Sequence, residues 1–206
     1  MKIVLFGATG NVGRRVAAEV LSRGHEVVGV VRDPAAGAAS DARVRLVKGD
    51  ATNEDSVAES VRGADAVVSA ISPRPNGRGL AAPSLVQNAR VGRTGVKRVL
   101  FVGGAGSLEV APGQLLVDQP GFPEVYKAEA LEGREALEVW RAEGGGLDWS
   151  FLSPAAEIAS GERTGRYRTT GDQFLVDAAG RSFITFEDYA VARDHVARDG
   201  IREHRA

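Results

Sequence analysis

The segment KIVLFGATGNVGRRV, residues 2–16, constrains this chain more than any other. Lys2 to Phe6 read as a strand, and glycines follow at 7, 10 and 13. Val12, Val16 and Val20 then fall on one face of a helix. The chain must therefore turn within a few residues from a strand into a helix. The first amides of such a helix have no partners inside it. The turn is either a bare corner or a cradle for an anion.

The rest of the chain decides what surrounds that corner. Gly24 stops the first helix, and EVVGVVR is a second strand. VRLVKGD is a third, DAVVSAI a fourth, KRVLFVGG a fifth and LDWSFLS a sixth. Helices are expected between them: one opened by a capping box at Thr52–Asp55 and running through Val57 and Val61, one around Leu85 to Gly92, and a long one from Glu124 to Glu143. Strands such as VLFVG and AVVSAI are apolar without alternation, the mark of parallel strands covered on both faces. The expected fold class is α/β: a Rossmann-type, doubly wound parallel sheet in a single domain spanning residues 1–206.

After about residue 153 the rhythm changes, and a small extension on the substrate side of the sheet is expected there. GRYRTTGD and QFLVDAAGRSFIT read as short strands and turns, and a second capping box at Thr185–Asp188 opens a helix through Tyr189, Val191 and Val196. Two stretches read as long loops, one after the fourth strand (72–83) and one after the fifth (103–124). Loops at the carboxyl ends of parallel strands are where open α/β sheets bind ligands.

In this strand–turn–helix context the glycines satisfy the condition for a dinucleotide fingerprint. Gly7 permits the turn, Gly10 lets the backbone approach a pyrophosphate, and Gly13 lets helix and strand pack closely. Thr9, Asn11 and Val12 complete the cradle at the helix start. The second strand ends in Arg32-Asp33. Arg32 suits the 2′-phosphate of NADPH, while Asp33 keeps NADH open through the ribose hydroxyls. Arg14 and Arg15 read as a solvated helix face. Asp50 and Ala51, at the end of the third strand, are placed for the adenine edge, with turn chemistry the competing role for Asp50. Ala70, Ile71 and Ser72 end the fourth strand and Gly103 and Gly104 the fifth, along the path of the coenzyme.

These residues resemble the atypical short-chain dehydrogenase/reductase superfamily. The motifs GGAGSL, FLSPAAEI, GERTGRYRTTGDQFL and SFITFEDYAVARDH are similar to those of the NADH-flavin reductase group of NAD(P)H-binding, NmrA-like proteins. That resemblance covers nearly the whole chain. It implies that Pro154, Ala155 and Ala156 line the nicotinamide pocket and that EDYA, Glu187 to Ala190, is a family hallmark. Asp188 and Tyr189 read as a helix start packed on the sheet.

The conventional members of the superfamily use Tyr-x-x-x-Lys on one helix, with a serine near the fifth strand. Here Tyr126 is followed four residues later by Ala130, and Lys127 is its immediate neighbour. Positions one apart do not share a helix face. Ser107 is the nearest hydroxyl after the fifth strand. Ser107, Tyr126 and Lys127 are the candidate catalytic residues, against loop capping and ordinary helix surface. Two functions fit a glycine loop without that relay, and a third ranks behind them. The first is hydride transfer from NADPH to a small-molecule acceptor, with free flavin or a quinone-like ring as substrate rather than prosthetic group. The second is a non-catalytic NADP(H) sensor. The third, an epimerase or dehydratase, normally needs the relay.

Composition narrows the remaining classes. Net charge is −1 and no basic tract occurs, so neither nucleic acid nor an anionic membrane is an expected partner. There is no cysteine, and the three histidines, His25, His195 and His204, are scattered, so no metal site is expected. No segment has the roughly 18 consecutive apolar residues of a spanning helix. The expectation is a cytoplasmic monomer or homodimer.

Overall fold

The computed structural model describes residues 1–35, 41–72, 94–96 and 98–199, with the side chains of 194–199 left aside. The helix expected around Leu85–Gly92 and most of the loop expected at 72–83 lie outside these residues. So does His204, and of His195 only the backbone is described.

Six strands form one parallel sheet: β1 (Lys2–Phe6), β2 (Glu26–Val31), β3 (Arg45–Lys48), β4 (Ala66–Ser69), β5 (Arg98–Val102) and β8 (Asp148–Leu152). Their order is β3-β2-β1-β4-β5-β8 and every pairing is parallel. The chain winds outward from β1 to β3 and then restarts on the other side at β4. The sheet thus reverses direction between β1 and β4, where open α/β sheets leave a crevice.

The lack of alternation in the strands has a direct cause. Along β1, Val4 and Phe6 enter one core with Val28, Val30, Val67, Phe101 and Trp140. Ile3 and Leu5 enter the opposite core with Val16, Ala17, Val20 and Val68. Both faces are dry, so both strand periods must be apolar. Helix α1 (Asn11–Ser22) covers one face and ends at Gly24, whose φ is +77°. Helix α2 (Glu54–Ser60) and helix α3 (Glu124–Glu143) contribute Val57, Ala136 and Trp140 to the other.

Two local expectations change. The cap of α2 is Asn53, whose side chain accepts from the Ser56 amide at 2.9 Å; Thr52 instead donates its hydroxyl to Asp50 at 2.7 Å. Both residues are good caps, and Asp50 captures the threonine. The stretch after β5 is also not structureless. It holds two turns of 3-10 helix, Ala105–Ser107 and Leu116–Asp118, and a hairpin of β6 (Glu109–Ala111) and β7 (Gln114–Leu115).

In the extension, β9 (Glu157–Ala159) and β10 (Phe183–Thr185) pair in parallel and lead into α4 (Phe186–Asp199). The Thr185 hydroxyl accepts from the Asp188 amide at 3.0 Å, so the capping expected there forms on its threonine side. The Asp188 carboxylate turns away, accepting from the Thr164 hydroxyl at 2.6 Å and the Gly165 amide at 2.7 Å. Arg163, one residue earlier, grips buried Glu19 of α1 with two bonds of 2.9 Å. Arg15 reaches Glu187 at 3.0 Å and Ser160 at 2.9 Å. Arg15 is therefore a strut between α1 and the extension and not the solvated side chain expected, whereas Arg14 is exposed. Tyr189 is buried and donates to the Leu152 carbonyl at 2.6 Å, and burial raises its phenol pKa well above the ordinary range. The ERTG and EDYA motifs thus hold the extension against the sheet.

Candidate functional site

A cleft of about 1450 Å³ opens along the carboxyl edge of the sheet, over the β1/β4 reversal. Ordinary small-ligand pockets hold about 300–1,000 Å³, so this one has room for more than a compact ligand. Its floor begins at the glycine turn. Gly10 is the N-cap of α1, with no side-chain cap and no acid in the first turn. Its amide returns to the Gly7 carbonyl at 3.0 Å, and Arg14 closes the first helical bond onto Gly10 at 3.0 Å. The amides of Asn11 and Val12, between them, have no backbone acceptor among the described residues. Uncapped amides at the positive end of a helix dipole form a site for an anion.

The three glycines have different reasons. Gly7 has φ +78° and lies against the Ala70 carbonyl. A Cβ on Gly13 would sit 2.1 Å from the Gly7 carbonyl oxygen, so this glycine serves helix–strand contact behind the cleft. A Cβ on Gly10 would meet only that oxygen, at 3.4 Å, and otherwise open space. The open face at Gly10 is the cradle a phosphate would fill.

The profile of the NAD(P)H-binding family matches residues 7–199. This chain belongs to that family. A candidate exported protein from Burkholderia pseudomallei shares 43% identity, with 98% of this chain and 95% of that one covered and a TM-score of 0.86. A candidate epimerase from Bacteroides thetaiotaomicron shares 40%, with 95% and 89% covered and the same TM-score of 0.86. A candidate NADH-flavin reductase from Streptococcus pneumoniae shares 31%, with 97% and 94% covered, again at a TM-score of 0.86. The fold is that of NAD(P)H-binding, oxidoreductase-like proteins, and the resemblance to NmrA-like proteins read from the motifs holds.

Within this cleft most of the residues singled out from sequence come together. Gly7, Thr9, Gly10, Asn11 and Val12 line one stretch, Arg32, Asp50 and Ala51 another, and Ala70, Ile71, Ser72, Gly103, Gly104, Pro154, Ala155 and Ala156 the remainder. Arg32 carries no hydrogen bond or ion pair among the described residues, so its fork is available to a ligand. Asp50 lines the cleft and accepts from the Thr52 amide at 2.9 Å, the turn chemistry expected as its competing role.

Four candidates are not among the residues lining the cleft. Gly13 is packed behind the turn, as described. Asp33 accepts from the Ala35 amide at 2.9 Å, closing its own turn. Ser107 is buried, donating to the Gly104 carbonyl at 2.9 Å with Ser153 at 3.1 Å, and serves as a loop cap. Lys127 lies on the exposed side of α3, 3.9 Å from Glu124. Of the three catalytic candidates only Tyr126 faces the cleft.

Sequence reasoning missed the wall opposite the sheet. Tyr126, Glu129, Ala130 and Gly133 line the cleft from α3. They sit at i, i+3, i+4 and i+7, one helical face. That spacing was present in the sequence, but two small residues and an acid on a long helix carry no chemical signature. Phe122, Ile158, Phe183 and Phe186 add an apolar and aromatic surface from the loop and the extension. These come from segments far apart in the chain, so only the fold joins them.

Proposed function

We propose that the chain is an NADPH-dependent reductase that transfers a hydride to a free flavin or a quinone-like acceptor. The observation that carries this is the continuity of the cleft. It runs from a helix start with open amides to an aromatic wall, and among the described residues no acid–base pair stands at the junction. In this reading Gly10, Asn11 and Val12 receive the pyrophosphate through backbone amides. Arg32 receives the 2′-phosphate. Asp33 is occupied by its own turn, which supports NADPH over NADH.

The coenzyme would supply a hydride, and a delocalised acceptor ring would take it with its electron pair before a solvent proton completes the reduction. The protein's part is to bring the two rings together and keep water out. Tyr126 and the phenylalanines supply flat apolar surface for a planar acceptor. Ala130, not lysine, stands four residues after Tyr126, so the contribution of Tyr126 is contact and hydrogen bonding. Epimerase or dehydratase chemistry needs a positioned acid and base, and the α3 face offers Ala130 where the lysine would stand.

The test is NADPH oxidation by purified protein with FMN, FAD and menadione as acceptors. Turnover well above the uncatalysed rate with at least one of them supports the reading. Tight NADPH binding with no turnover would replace it with the sensor reading.

A further inference from the structure

Three carboxylates line the cleft, Asp50, Glu129 and Glu157. Asp50 is held by Thr52, and Glu157 has Arg181 3.9 Å away. Glu129 differs from both. No cation pairs with it among the described residues, and its Oε1 accepts from the Ser72 hydroxyl at 2.8 Å. On the cleft face of α3 it stands between Tyr126 and Gly133, whose Cβ position lies 3.9 Å from Gly104. On a wall of aromatic and small residues it is an anion with acceptor capacity to spare. A carboxylate covered by a bound ligand loses its water and needs a donor in exchange.

Resting on the reductase reading above, we propose that Glu129 selects the acceptor by accepting a hydrogen bond from a ring N–H. The preferred acceptor is then a planar heterocycle with an imide or lactam N–H, of the isoalloxazine kind. A quinone presents only carbonyl oxygens, which would face the carboxylate lone pairs without a proton between them. Ser72 holds the carboxylate at the crossing from β4 to α3. The effect belongs to acceptor binding, because an acceptor-side hydrogen bond to a carboxylate does not assist hydride arrival.

The experiment compares riboflavin with N3-methylriboflavin, which keeps the ring and lacks the donor. The wild-type protein should show a KM about tenfold or more higher for the methylated flavin, the worth of one charge-assisted hydrogen bond. Glu129→Ala should raise the riboflavin KM to match and bring the two flavins within about twofold, with kcat little changed. Glu129→Gln, whose carbonyl still accepts, should restore part of the preference. NADPH affinity, titrated by its fluorescence, should stay constant across the variants. Equal KM values for the two flavins in the wild type overturn the proposal, and so does a loss of NADPH affinity in Glu129→Ala. If the wild type reduces neither these flavins nor FMN, FAD or menadione, the reductase reading fails by itself. Quenching of flavin fluorescence by the NADP⁺-loaded protein then still decides the pairing, and equal affinities for the two flavins, or no measurable binding of either, overturn it.

Discussion

Gly10 and Gly13 lie three residues apart in one turn, yet alanine at each should fail in a different way. At Gly13 the new methyl would sit 2.1 Å from the Gly7 carbonyl oxygen. Ordinary contact begins near 3.4 Å, so helix and strand must separate by more than an ångström. Overpacking of that kind costs about 1–3 kcal/mol, and alanine's better helix propensity returns at most about 1. A net loss of about 1–2 kcal/mol lowers Tm by about 2–8 °C in a chain of this size. At Gly10 the backbone has φ −74° and the methyl meets one atom at 3.4 Å, so alanine fits the fold. Replacing glycine by alanine at an N-cap costs roughly 1 kcal/mol or less. The methyl does, however, occupy the face left open to a phosphate. Losing one or two charge-assisted bonds of about 1.5–3 kcal/mol weakens binding by roughly 10- to 100-fold or more. The assays are thermal unfolding without coenzyme and NADPH titration. Gly10→Ala should melt near the wild type and bind poorly, and Gly13→Ala should melt early. Wild-type NADPH affinity in Gly10→Ala would refute the cradle.

Arg32→Ala should weaken NADPH by about tenfold or more and leave NADH unchanged, because only one coenzyme offers a 2′-phosphate; equal losses in parallel titrations would remove that role. Glu19 has its carboxyl pKa held below 4.5, chiefly by the hydrogen bonds from Arg163. A depressed folded pKa gives stability that is present above the unfolded value and lost as pH falls through the folded one. Glu19→Gln should therefore melt lower at neutral pH, by about 4–8 °C for a loss near 2 kcal/mol. Its deficit should shrink as pH drops below 4.5, read from melts across a pH series. Tyr189→Phe removes the donor to Leu152 and should lower Tm by roughly 2–8 °C, the effect of about 1–2 kcal/mol. Its coenzyme affinity should not change, as titration of the folded variant would show.

The parts of the molecule readable from sequence were those fixed by local rules. Continuous apolar strands, glycine stops and the strand–turn–helix corner each follow from a few neighbouring residues. They were enough to place the sheet, the cleft and most of the lining residues singled out from sequence. What escaped was set by competition or by distance. Thr52 and Asn53 are both good caps, and only the position of Asp50 decides between them. Glu19 looks like any surface acid on a helix until Arg163 arrives from 144 positions away to bury it. Arg15 was read as solvated for the same reason, since Glu187 and Ser160 are brought to it by the extension. Ser107 and Lys127 carried catalytic residue types, but their side chains are used by a loop turn and by solvent.

The absent lysine is explained by packing around α3. Ala130 stands four residues after Tyr126 and is buried, and a Cβ on Gly106 would lie 2.6 Å from the Ala130 methyl. The helix and the loop after β5 therefore touch through two of the smallest side chains available. A lysine at position 130 would have to drive its stem into that contact or be turned out of line with the phenol. Restoring the relay would need the helix to move back, which would also withdraw Gly133 from beside Gly104 and widen the cleft. The close approach that narrows the reaction space and the four-residue Tyr–Lys pair are thus competing uses of the same helix face. In this chain the face is given to proximity, which suits a reaction whose acceptor can hold charge without a protein acid.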